Sequence, residues 1–117
     1  MNTQKRFSQL FKLSAGKVQV AFGLAKRIGS LDGVRLMAAP STEATFVVAI
    51  TRLVKGSVIR NKIRRRIKAI VHEGIKEFGP LPNNTWLCVI YPAAVRRSYQ
   101  ELKMLLHRSL WQSKKNG

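Results

Sequence analysis

Apolar residues recur at helical spacing in three stretches of this chain and take on strand character in most of the segments between them. Thr3 is placed to cap a short first helix that carries Phe7, Leu10, Phe11 and Ser14 on one side. Val18-Gln-Val-Ala-Phe22 alternates as a strand does, and Gly29 to Gly33 reads as a turn. Residues 34–39 form a strand, and residues 45–51 a stronger one, dense in β-branched side chains. The short Pro40-Ser-Thr-Glu43 turn between them predicts a hairpin. The period then changes. On a helical wheel Ile59, Ile63, Ile67 and Ile70 fall within about 80° of one another, and Val71 and Phe78 widen the same side. Ser57 suits the N-cap, Gly74 weakens the last third, and Gly79-Pro80 with Pro82 stops this helix near Phe78. Residues 85–91 read as a buried strand ended by Pro92. Ser98-Tyr-Gln-Glu101 is a capping box, and the helix it opens puts Leu102, Leu105, Leu106, Ser109 and Leu110 on one side. Residues 113–117 form a polar tail expected to fray.

The predicted order is helix, two or three strands, long helix, strand, helix. This is an α/β (α+β) sandwich: a single, mostly antiparallel sheet of about four strands, with helices mainly on one face. The strand after the long helix is expected in the same sheet, giving a βαβ crossover. At 117 residues, with no internal repeat, the chain fits one domain over 1–117.

Charge narrows the function. There are 22 Lys and Arg against 5 Asp and Glu, a net +17. From Lys55 to Lys68, cations stand at Lys55, Arg60, Lys62, Arg64, Arg65, Arg66 and Lys68, with no acid among them. A merely solvated helix face usually mixes signs. Like charges at this density repel unless a polyanion neutralises them, and a nucleic acid does so with release of condensed counterions. The candidate contacts are Arg52, Lys55, Arg60, Asn61, Lys62, Arg64, Arg65 and Lys68. A membrane is the competing polyanion, but the longest apolar run, Ala44 to Ile50, is far too short to span one. The N-terminus lacks the apolar core of a secretory signal, and Cys88 has no second cysteine to pair with. A cytoplasmic protein is expected, with no membrane partner and no small-molecule substrate.

Catalysis by the chain itself is not expected. The acids Asp32, Glu43, Glu73, Glu77 and Glu101 are scattered, and Glu101 belongs to the capping box. His72 and His107 are the only histidines, and neither they nor Cys88 has metal-site spacing. There is no glycine-rich phosphate loop. No catalytic residue and no protein-bound metal is assigned.

The stretch Arg60-Asn61-Lys62-Ile63-Arg64-Arg65 resembles the Arg-Asn-Arg signature of the bacterial ribonuclease P protein subunit. So do Phe7-Ser-Gln-Leu-Phe11-Lys12, Ala49-Ile-Thr51-Arg52, Leu87 to Pro92, and Ser98-Tyr-Gln-Glu-Leu102. The resemblance covers most of the chain apart from residues 15–32. Three departures stand out: Lys62 takes the third motif position, Leu53 replaces one of two adjacent cations, and the glycine before the helix falls one place late, at Gly56. The position where the family often has a cleft aromatic on its first strand aligns best with Met37, with Val18 to Phe22 as the alternative first strand.

The resemblance implies a ribosomal-protein-like fold with a left-handed βαβ crossover. It implies a protein that binds ribonuclease P RNA and the 5′ leader of precursor tRNA and assists Mg²⁺-dependent 5′ maturation, with Mg²⁺ held mainly by the partner RNA. The basic helix would face the RNA. Phe7 and Phe11 would line a cleft for the single-stranded leader, a role they share with plain core packing as alternatives. The rival readings are a ribosomal or other structural RNA-binding protein, a helix-turn-helix DNA-binding protein, and a self-sufficient nuclease.

Overall fold

The computed structural model describes residues 25–111. It contains strands β1 (Lys26–Leu31), β2 (Val34–Pro40) and β3 (Thr45–Ile50), helix α1 (Ser57–Phe78), strand β4 (Asn84–Ile90), a 3₁₀ turn (Pro92–Arg96) and helix α2 (Tyr99–Trp111). The expected first helix with Phe7 and Phe11, the strand at residues 18–22 and the tail at 113–117 lie outside the described residues.

The four strands form one sheet in the order β1-β2-β4-β3. β1 with β2 and β2 with β4 are antiparallel, whereas β3 with β4 is parallel. The expected βαβ unit is therefore β3-α1-β4, with α1 as the crossover that parallel neighbours require. The expected hairpin between residues 34–39 and 45–51 is not formed, because β4 lies between those strands. The reason is burial. Thr85 to Ile90 are buried on both faces, which requires a central position. β2 instead makes its hairpin with β1. The anticipated turn at Gly29–Gly33 narrows to Asp32-Gly33, since Gly29, Ser30 and Leu31 belong to β1. Their weak strand propensity is overridden by pairing with β2, with one register shift between Arg27 and Gly29.

Strand period two sorts the side chains. Leu36, Phe46, Cys88 and Ile90 join Ile63, Ile67, Ile70 and Val71 of α1 and Leu102, Leu105, Leu106 and Leu110 of α2 in the main core. Burying each such aliphatic side chain stabilises the fold by about 1.5–3 kcal/mol. On the opposite face Ala39 and Leu87, with Met37 and Val47 beside them, make a smaller cluster. Ile59 and Phe78 depart from the wheel: they are 41% and 47% exposed. Core contact by α1 begins a turn after Ile59, at Ile63, and Phe78 instead lies against His107 and Trp111 with ring centroids 5.4 and 5.7 Å away.

Helix α2 begins as its sequence indicates. The Ser98 Oγ accepts from the Glu101 backbone N–H at 3.1 Å, and the Glu101 carboxylate accepts from the Ser98 N–H at 2.9 Å. The Ser98 N–H foremost, then the Ser98 hydroxyl and Arg97, hold the Glu101 carboxyl below its usual pKa. The start of α1 differs from expectation. Gly56, not Ser57, occupies the N-cap position, and no side chain caps it. Its φ of +95° is a left-handed conformation that glycine adopts without strain.

Candidate nucleic-acid interface

Helix α1 crosses from β3 to β4 with its apolar side on the sheet, so its charge must face outward or sideways. At 100° per residue Asn61, Arg64, Arg65, Lys68 and His72 share one flank, turned away from Ile63, Ile67 and Ile70. Asn61, Arg64, Arg65 and Lys68 line an open groove of about 440 Å³. Within it the Arg64 guanidinium donates to the Asn61 amide oxygen at 3.4 Å. No acid lines this groove.

The helix acids lie on the other flank. Glu73 accepts from the Tyr99 hydroxyl and pairs with the Lys103 ammonium at 3.0 Å, joining α1 to α2. Tyr99 foremost, then Lys103, lowers the pKa of Glu73. Partial burial, and then the adjacent Glu73, pushes the Tyr99 phenol up to about 12. The seam is extended by the buried His107, whose Nε2 lies 2.9 Å from the Ile70 carbonyl oxygen, and by Trp111, whose indole N–H donates to the Gly79 carbonyl at 3.1 Å. Glu73 is thus drawn toward α2, and the flank bearing Asn61, Arg64, Arg65 and Lys68 is left without an acid.

The sequence candidates divide accordingly. Asn61, Arg64, Arg65 and Lys68 come together around the groove. Lys62 is exposed but sits around the helix from them, on the side of Arg66, which is half-buried. Arg52 and Lys55 are exposed in the β3–α1 junction. Arg60 turns inward. Its guanidinium donates to the Thr51 carbonyl at 3.2 Å, the Val54 carbonyl at 3.1 Å and the Ile50 carbonyl at 3.4 Å. It therefore ties the end of β3 and the junction to the first turn of α1. Its position at the apolar edge of the wheel is the sequence signal for that role.

One feature escaped the sequence reading. On the sheet face away from the helices, Arg35 places its guanidinium 5.8 Å from the centroid of the Tyr91 ring. The two residues are far apart in the chain, and only the strand register brings them together.

The described residues bring together no group of three His, Cys, Asp or Glu side chains suited to a metal ion. Cys88 is fully buried, and burial pushes its thiol up to about 12, so it is no nucleophile. Among the described residues no helix is long and apolar enough to cross a membrane.

A helix with an acid-free cationic flank, crossing a four-stranded mixed sheet and tied to a second helix through Glu73, defines a small basic α+β protein whose charge suits a polyanion. The chain belongs to the ribonuclease P family, that of the bacterial ribonuclease P protein subunit, whose match spans residues 6–114. The fold is also that of solved ribonuclease P proteins. A Staphylococcus aureus ribonuclease P protein, a mutant with defective mRNA degradation activity, superposes with a TM-score of 0.70 at 13% identity, covering 92% of this chain and 90% of that one. The ribonuclease P protein of Thermotoga maritima gives 0.69 at 12% identity, covering 95% and 97%. The Thermotoga maritima protein in complex with 1-(4-fluorophenyl)-2-thiourea gives 0.66 at 13% identity, covering 80% and 91%. No curated protein sequence matches the chain.

Proposed function

We propose that this chain binds the RNA subunit of ribonuclease P and the 5′ leader of precursor tRNA, and assists Mg²⁺-dependent removal of that leader. The observation that carries the reading is the acid-free groove of Asn61, Arg64, Arg65 and Lys68 in a protein of net charge +17. Cations around an open groove suit a phosphate backbone that is itself curved, and each phosphate neutralised releases counterions. Arg52 and Lys55 extend the charge toward the end of the sheet. Arg60 supports this surface from beneath.

The chemistry belongs to the RNA. A hydrolytic metal site needs converging ligands, which the described residues do not supply. On this reading Mg²⁺ is held mainly by the partner RNA, and the protein's work is electrostatic: it lets two polyanions approach, which lowers the Mg²⁺ needed for cleavage. The leader would bind in a cleft for single-stranded RNA, with Phe7 and Phe11 as its aromatic contacts. On this reading the chain is the accessory subunit of a cytoplasmic endoribonuclease.

The test is reconstitution with the ribonuclease P RNA of the same organism at low Mg²⁺, following cleavage of a precursor tRNA. The expected outcome is stimulation by a protein that cleaves nothing alone. Tight RNA binding without stimulation would point instead to a structural RNA-binding protein.

A further inference from the structure

The described residues leave six large hydrophobic side chains exposed, and three of them fall at the β3–α1 junction and the first turn of α1: Leu53 at 65%, Val58 at 77% and Ile59 at 41%. Isolated exposed aliphatics are ordinary, but three within seven residues are a local concentration. The cations Arg52, Lys55 and Lys62 stand among and beside them, all exposed. Nothing in the fold requires this. Val58 points away from the core formed by Ile63 and Ile67, and a polar side chain would serve a solvated helix end as well.

The junction is also held in shape. Arg60 binds three backbone carbonyls, those of Ile50 at the end of β3 and of Thr51 and Val54 in the junction, and Val54 itself is buried with its N–H bonded to the Thr51 carbonyl at 3.1 Å. Ile59 folds back toward Gly56, where a Cβ would meet its Cδ1 at 3.7 Å. A braced surface loses little conformational freedom when it docks.

Charge selects the occupant. A second copy of this chain would bring another +17 against the same cations. The partner must be anionic and yet offer an apolar surface at the same point. The outside of an RNA duplex offers phosphates and ribose hydroxyls with its bases stacked inside. An unpaired nucleotide offers both a phosphate and an open base face.

We infer that the β3–α1 junction is a preformed docking surface for unpaired, unstacked nucleotides of the RNA partner, with Leu53, Val58 and Ile59 against base or sugar faces and Arg52, Lys55 and Lys62 on the flanking phosphates. This rests on the RNA-binding reading above and adds to it the kind of RNA structure recognised. The junction supplies contact with bases, whereas the groove along α1 supplies contact with backbone.

The experiment uses the full chain. Leu53→Ser combined with Val58→Ser removes apolar surface at exposed positions and leaves every charge in place. Binding is measured to oligouridylate and to an RNA duplex with the same number of phosphates. Affinity for the single strand is expected to fall by about tenfold, with the duplex affinity and the salt slopes unchanged. Equal loss on both RNAs, or loss on neither, overturns the inference. An independent check attaches a photoactivatable cross-linker to Val58→Cys, selectively, because the one native cysteine, Cys88, is buried. Adducts at unpaired nucleotides of the ribonuclease P RNA support the inference; adducts within helices, or to a second copy of the protein, overturn it. Stimulation of precursor cleavage by the unsubstituted protein is scored separately, so failure of the docking surface is distinguishable from failure of the proposed function.

Discussion

Gly74 of α1 faces the ring of Trp111 of α2 so closely that a Cβ at position 74 would stand 2.3 Å from the Trp111 Cη2 and 2.4 Å from its Cζ3. Trp111 cannot easily yield, because it is buried and its indole N–H is bonded to the Gly79 carbonyl. Glycine at mid-helix costs about 1 kcal/mol in propensity relative to alanine. Here the contact between helices outweighs that cost.

Gly74→Ala is therefore expected to destabilise the fold by about 1–3 kcal/mol despite the better helix former. Denaturant unfolding checks this. A variant more stable than the parent would show that the two helices separate without penalty.

Arg60 and Arg65 share a motif but not a role. Arg65→Ala is expected to reduce the slope of log affinity against log salt by about one, as for one lost phosphate contact. Arg60→Ala should leave that slope nearly unchanged and lower the unfolding midpoint, because three backbone carbonyls lose their donor. Arg60→Lys should not restore stability, since an ammonium lacks the planar fork. Matching salt slopes for the Arg60→Ala and Arg65→Ala variants would return Arg60 to the interface.

The Glu73–Tyr99 pair predicts limits at both ends of the pH range. The folded pKa of Glu73 lies below its ordinary 4.5, so its contribution is complete above that value and is lost as pH falls further, through the folded pKa. Tyr99 is raised from 10.0 to about 12, so its contribution is complete below pH 10.0 and is lost as pH rises through about 12. In Glu73→Gln the contribution of this carboxyl to the acid limb should be absent, which unfolding midpoints across pH will show. An unchanged acid limb would mean that the seam between α1 and α2 does not depend on this carboxylate.

Cys88 should resist thiol reagents in the native protein, being fully buried with its thiol pushed up to about 12. Its modification rate should track unfolding as denaturant is added. Rapid labelling in buffer would mean that the centre of the sheet opens readily.

Much of this protein follows from residue order alone. The helical spacing of Ile63, Ile67 and Ile70, and the Ser98–Glu101 capping box, are local patterns, because helix contacts and caps lie within four residues of each other. The acid-free run of cations is likewise a property of sequence, and so is the family resemblance carried by Arg60-Asn61-Lys62. Tertiary structure decided what depends on distant residues. Strand order was one such matter: a hairpin between β2 and β3 satisfies local rules, and only the two-sided burial of β4 displaces it to either side. Arg60 was another in part: its place at the apolar edge of the wheel marks it for bracing, but which backbone carbonyls it holds is encoded in no side-chain pattern. The division of the cations followed too, because the position of α2 determines which flank of α1 meets Tyr99 and Lys103 and which is left to solvent. Sequence periodicity reports which residues share a face, whereas what that face touches is set by elements brought together across the whole fold.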